Sequence, residues 1–109
     1  MCRFRSILEF DDNPATLRCC GDEDRTTQGF RRRALARAIR AQTDVVVDLS
    51  ELVFADPSLM LDLAMLARRL RKAGRRMLVR DPQPQVLRLI EIVGLHRFPG
   101  IEFEAPAAA

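Results

Sequence analysis

The sequence predicts an α/β domain with parallel strands and an antiparallel pair at its beginning. Short apolar runs alternate with segments of helical periodicity, in the order β-β-α-β-α-β-α with a further short strand at the end. The turn cluster Asp11-Asp12-Asn13-Pro14 separates the first two runs, so these two form a hairpin. Later strands are separated by helices of 10–15 residues, the usual connection between parallel neighbours.

The elements of the first half follow from periodicity and turn residues. Residues 3–10 alternate apolar and charged side chains as a strand does, and Ala15 to Cys20 forms the second strand. The segment Gly21-Asp22-Glu23-Asp24 is expected to end that strand. A helix spans roughly Gln28 to Ala41, with its apolar residues on one half of the circumference and a ridge of arginines on the other.

The second half is organised around the β-branched run that starts at Val45. This strand runs to Leu49, continues briefly over residues 52–54, and is expected to be buried on both faces. A helix follows to Ala73, with a leucine stripe at i, i+4, i+7 and i+11: Leu59, Leu63, Leu66 and Leu70. Met77–Val79 is the next strand, a last helix ends at Gly94, and Ile101–Phe103 is a final edge strand.

Length and composition predict one domain without a membrane anchor. The chain of 109 residues is 48% apolar, which suffices for a single core, so we expect one domain over 1–109 with its core at about 3–104 and a frayed tail at 105–109. There is no run of about 18 apolar residues and no apolar signal-peptide segment, so no membrane insertion and a cytoplasmic location are expected.

Charge and chemistry-bearing residues argue against nucleic-acid binding and catalysis. The net charge is only +3, the arginines are dispersed, and the chain has no Trp or Tyr for base stacking. The spacing of Cys2, Cys19 and Cys20 is not that of metal ligands. In a strand, the side chains of Cys19 and Cys20 point to opposite faces, so one of them belongs to the core. A redox role has no supporting residue nearby in the sequence. No Gly-rich phosphate loop or Ser-His-Asp order is present, so the protein is predicted to be no enzyme and to need no cofactor or metal.

The segment Asp56-Pro57-Ser58 starts the helix that carries the leucine stripe. Asp suits the N-cap and Pro the first helical position, which places Ser58 in the first turn beside amide donors without an intrahelical acceptor. Such a position favours a negative charge, so Ser58 is chemically suited to carry a phosphate. The alternative is that Ser58 is only a good first-turn residue.

Three side chains share a helix face with Ser58. Leu61, Asp62 and Met65 follow it at i+3, i+4 and i+7, on a face that points away from the leucine stripe. Exposed Leu61 and Met65 would form a protein-docking surface, and a phosphate on Ser58 would add charge repulsion and a desolvation cost to an interface there. Alternatively, other parts of the chain cover this face.

The chain resembles the STAS family, named for sulphate transporters and anti-sigma factor antagonists, over about residues 6 to 104. The resemblance is carried by Val45-Val46-Val47-Asp48-Leu49-Ser50, Phe54-Ala55-Asp56-Pro57-Ser58, the stretches Ala67–Gly74 and Pro84–Leu95, and the Gly21–Asp24 turn. It implies a mixed sheet of four to five strands with the helices largely on one side. In the family's small bacterial antagonists the third residue of an Asp-Ser-Ser-Gly segment is the regulatory serine, and Ser58 occupies that position.

The resemblance also implies the function. It predicts an anti-sigma factor antagonist that binds an anti-sigma factor with serine-kinase activity, is inactivated by phosphorylation of Ser58 and is restored by a serine phosphatase. Asp56 and Asp24 match acidic residues near the family's phosphorylation site. Pro57 and Leu59 depart from the segment; Leu59 replaces a glycine at the helix start and is counted with Leu61, Asp62 and Met65 as partner-binding. The alternatives are the STAS subunit of a membrane lipid-transport ATPase complex and a sensor or scaffold module without phosphorylation.

Overall fold

Five strands form one mixed sheet in a computed structural model that describes residues 7–12, 15–23, 28–55 and 57–103. The strands lie side by side in chain order, β1 (Ile7–Asp12), β2 (Ala15–Glu23), β3 (Val45–Ala55), β4 (Met77–Arg80) and β5 (Ile101–Phe103). The first two pair antiparallel, and β2 through β5 are parallel. The predicted hairpin and the predicted α/β class are therefore confirmed.

Three α-helices connect the parallel strands. They are α1 (Gln28–Arg40), α2 (Pro57–Lys72) and α3 (Pro84–Val93), and a short 3₁₀ helix (Leu95–Arg97) follows α3. Helix α2 lies between α1 and α3 and packs against both. In β3, Val45 and Val47 are fully buried, whereas Val46 is only partly buried. The helices therefore lie on one side of the sheet, and β3 is not fully buried on both faces as its β-branched run predicted.

Strand β3 carries two extra residues relative to β2. Arg18 and Cys20 are two residues apart, but their partners Asp48 and Glu51 are three apart, and a second shift separates Gly21 from Asp22. Each shift is a β-bulge on β3 that resets which side chains face the helices. This explains why the core-facing residues of β3 change from a spacing of two to a spacing of three: Val45, Val47, Leu49, Leu52 and Ala55.

Strand β2 is longer than predicted. The segment Gly21-Asp22-Glu23 was expected to end it, yet the strand runs to Glu23, which pairs with Ala55. The bulged end of β3 provides backbone partners for these residues, and this pairing overrides their low intrinsic strand propensity. The consequence is that β2 and β3 end side by side, immediately before α2 begins.

The leucine stripe of α2 forms the centre of the core, as predicted. Its members expose at most 1% of their surface: Leu59, Leu63, Leu66 and Leu70. They pack with the core-facing residues of the sheet and with Val86 and Ile90 of α3. Burying four leucines anchors α2 along its whole length, since each contributes about 1.5–3 kcal/mol.

Gly94 ends α3 in a left-handed conformation, with φ 81° and ψ 14°. A Cβ added there meets no atom within 4 Å, so only the backbone conformation disfavours a side chain. We expect Gly94→Ala to lower the free energy of unfolding by about 1 kcal/mol and Gly94→Asn to lower it less, because Asn tolerates this conformation. Urea denaturation measures both, and an equal loss in the two variants would mean that packing, not backbone conformation, sets the cost.

Candidate functional site

Ser58 is the second residue of α2, directly beyond the end of the longest strand. The helix begins at Pro57, as predicted, and Ser58 is half-buried. The first-turn amides have no intrahelical acceptor, and the positive end of the helix dipole lies here. The structure thus places the Ser58 hydroxyl where a negative charge is favoured.

The side chains that follow Ser58 on this face are largely exposed. Leu61 exposes 69% and Met65 58% of their surface, while Asp62 is half-buried. The described parts of the chain therefore leave both apolar side chains exposed, and they do not support the alternative that the chain itself covers this face. We call Ser58, Leu61, Asp62 and Met65 the docking face; its role in partner binding stays a prediction.

A groove between α1 and α2 passes beside Ser58. It has a volume of about 310 Å³, with Ser58, Leu61 and Asp62 on the α2 side and Arg32 on the α1 side. Arg32 and Asp62 bring opposite charges to the same groove. A phosphate on Ser58 would enter a site where the helix dipole and Arg32 attract it and Asp62 repels it.

A second groove lies on the other side of Leu61, between α2 and α3. It has a volume of about 280 Å³ and is lined almost wholly by apolar side chains, among them Met60, Leu61, Val93 and Phe98. Leu61 therefore lies between a charged groove and an apolar groove. Sequence reasoning missed the apolar groove, because the contribution of Val93 depends on how α3 packs against α2.

Leu59 does not belong to the docking face. Its side chain is fully buried in the core, so the prediction that it contacts a partner is wrong. The reason is helical geometry: residues 59 and 63 are one turn apart, and the leucine stripe turns Leu59 toward the sheet. A leucine at this position therefore adds to the core.

Some of the predicted site residues lie outside the described residues. Asp24 and Asp56, predicted neighbours of the phosphorylation site, lie outside them, and the side chain of Cys20 is not described either. Cys19 is a fully buried core residue. In the described ranges, no group of His, Cys, Asp or Glu side chains could hold a metal ion, and no helix there is long and apolar enough to cross a membrane.

Comparison of the sequence with models of known protein families shows which family the chain belongs to. Residues 7–102 match the model of the family described as "Mlab, STAS domain". Because this match covers most of the chain, the protein belongs to the STAS domain family, which confirms the resemblance seen in the sequence.

Solved structures confirm the fold. The chain is similar to the unphosphorylated anti-sigma factor antagonist SpoIIAA, with a TM-score of 0.67 and 21% sequence identity over 84% of this chain and 80% of that one. At this identity the likeness establishes a common fold, with four parallel strands in one sheet and three helices. Among proteins of curated function, none matches the sequence.

Proposed function

We propose that the protein is a cytoplasmic anti-sigma factor antagonist that acts by partner switching. The observation that carries the proposal is the position of Ser58: it is half-buried in the first turn of α2, one turn before an exposed leucine. In the unphosphorylated state the docking face would bind an anti-sigma factor and thereby free the sigma factor. The printed name of the similar structure, an anti-sigma factor antagonist, supports this choice within the STAS family.

Phosphorylation of Ser58 would end the interaction for two physical reasons. It adds a charge of about −1.5 to −2 at the edge of the apolar surface formed by Leu61 and Met65. An interface that covers the phosphate has to desolvate it, and a partner that approaches the half-buried Asp62 meets two negative groups instead of one. Both effects weaken the complex.

The partner proteins would catalyse the phosphorylation and dephosphorylation of Ser58. An anti-sigma factor with serine-kinase activity would phosphorylate Ser58, and a separate serine phosphatase would remove the phosphate. In this scheme the protein is a substrate and a binding module, not an enzyme.

Phosphate mapping tests the proposal directly. We expect the cognate anti-sigma kinase with ATP to label the wild-type protein on Ser58 and to leave Ser58→Ala unlabelled, because the modified hydroxyl is then absent. Ser50→Ala is the matched control: Ser50 is an exposed serine on β3 whose hydroxyl donates to Asp48 Oδ1 over 2.7 Å, and its removal should leave labelling unchanged. Label on another residue, or no label from a kinase that binds the protein, would refute the switch.

A second candidate is a STAS subunit of a membrane lipid-transport ATPase complex. The exposure of Leu61 and Met65 favours it as well, since an apolar face suits a stable interface whether or not Ser58 is modified. Co-purification separates the two functions, because this candidate requires an ATPase subunit of a transporter as the partner and the first requires a kinase-like anti-sigma factor. A Ser58→Asp variant that keeps its partner would favour the transport complex.

A further inference from the structure

A third groove, distinct from the two beside Leu61, also lies between α1 and α2. It is beyond Met65, toward the C-terminal ends of the two helices. Its volume is about 520 Å³. Four cationic side chains line it, together with the apolar side chains of Ile39 and Met65: Arg68, Arg69, Lys72 and Arg75. We call this site the basic groove.

The charge of the basic groove is not compensated within the described parts of the chain. No carboxylate lines the groove there, and none of its four cations has an ion-pair partner among the described residues. Arg68, Arg69 and Lys72 lie in the last turns of α2, where they also complement the helix dipole. That role accounts for cations at the helix end, but not for Arg75, which lies beyond the helix.

Arg75 is a fixed charge in this groove. Its Nη2 donates to the carbonyl oxygen of Ile39 over 2.9 Å and so ties the end of α1 to the segment before β4. Its Nη1 is buried without an acceptor among the described residues. A guanidinium held in this way adds positive potential to the groove, so an anionic group there would be stabilised.

The basic groove continues the docking face along one side of α2. Met65, Arg68, Arg69 and Lys72 are spaced i, i+3, i+4 and i+7, the same spacing that joins Ser58 to Met65. Met65 belongs to both surfaces and is 58% exposed. A partner that covers Leu61 and Met65 therefore meets three cations, Arg68, Arg69 and Lys72, at its next contact along the helix.

We propose that the basic groove binds an acidic, amphipathic segment of a protein partner. Its carboxylates would pair with Arg68, Arg69 and Lys72, and its apolar side chains would contact Ile39 and Met65. The apolar contacts favour a protein segment over a free inorganic anion, and the absence of an aromatic side chain from the groove's lining among the described residues disfavours nucleic acid. That this segment belongs to the anti-sigma factor rests on the proposed function. The charge and shape of the groove are independent of that function.

The test uses the full chain and a fluorescein-labelled synthetic amphipathic peptide with Glu on one face and Leu on the other, followed by fluorescence anisotropy. The wild-type protein should bind the peptide, and binding should weaken as salt is added. The double variant Arg68→Gln/Lys72→Gln should bind about tenfold more weakly and lose part of the salt dependence. Arg88→Gln/Arg97→Gln is the matched control, because it removes two exposed cations outside the groove, and it should bind like the wild type.

Two further measurements keep the result interpretable. Arg68→Lys/Lys72→Arg keeps both charges and should restore binding. The unfolding temperature of the variants should differ only slightly, because the changed residues are exposed and the favourable effect of a cation at the end of α2 is small. Unchanged binding by the groove variant, or equal weakening in the control, would overturn the proposal. Groove-dependent binding of phosphatidylglycerol vesicles or single-stranded DNA in preference to the peptide would overturn the choice of a protein segment. The assay needs neither a kinase nor a modified Ser58, so its failure and the failure of the phosphorylation switch are separate results.

Discussion

Ser58→Asp should weaken binding of the anti-sigma factor by at least about tenfold, or 1.4 kcal/mol, whereas Ser58→Ala should bind like the unmodified protein. The Asp carboxylate places a negative charge beside Leu61 and adds to that of the half-buried Asp62 in the same groove. An interface there has to desolvate this charge, and its apolar contacts do not compensate for it. Ser58→Ala removes only a hydroxyl. Calorimetric titration of both variants with the same anti-sigma factor measures the difference.

The free protein supplies the control for this comparison. A carboxylate in the first turn interacts favourably with the helix dipole, so Ser58→Asp should keep or slightly raise the unfolding temperature. Weak binding by a variant that is as stable as the wild type can then not be ascribed to unfolding. Equal affinities of the Asp and Ala variants would show that Ser58 is only a first-turn residue.

Charging the apolar part of the docking face should have the second large effect. Met65→Glu should weaken anti-sigma factor binding by more than about 1 kcal/mol, and Leu61→Glu by a similar amount, since each buries an unpaired carboxylate in the centre of an interface. Both residues are so exposed that the free protein should lose little stability. Titration calorimetry and urea denaturation of the same samples measure the two quantities.

Ile92→Glu is the matched control. Ile92 is also an exposed apolar residue, at 74%, but it lies on α3 outside the docking face. It should leave the affinity unchanged. If Ile92→Glu weakens binding and Met65→Glu does not, the interface lies on α3.

The sequence predicted the elements whose pattern is strong and local. The four-leucine stripe located α2 and its buried face, and the turn cluster after Phe10 located the hairpin. The exposed positions of Leu61 and Met65 followed from the same periodicity, because residues opposite a buried stripe face outward. These features depend on spacing within a single element.

The features that depend on neighbouring elements could not be predicted. The extension of β2 to Glu23 needs the bulged end of β3 as a partner, and the sequence of β2 alone contains Gly21 and Asp22, which usually end strands. The grooves on the two sides of α2 need side chains from α1 and α3, such as Arg32 and Val93. Leu59 belongs to two patterns at once: the family segment predicts a partner contact at the helix start, whereas the leucine stripe predicts burial, and the structure shows it buried.

The burial of the two residues after Ser58 limits how phosphorylation of Ser58 could change the protein. Leu59 and Met60 expose no more than 2% of their surface, and unwinding the first turn of α2 would withdraw both from the core at a cost of about 3–6 kcal/mol. A phosphate, which interacts favourably with the intact turn, gives no free energy toward that cost. Phosphorylation would therefore leave the backbone unchanged, and a partner would recognise the modified protein by its altered electrostatic surface and not by a second conformation.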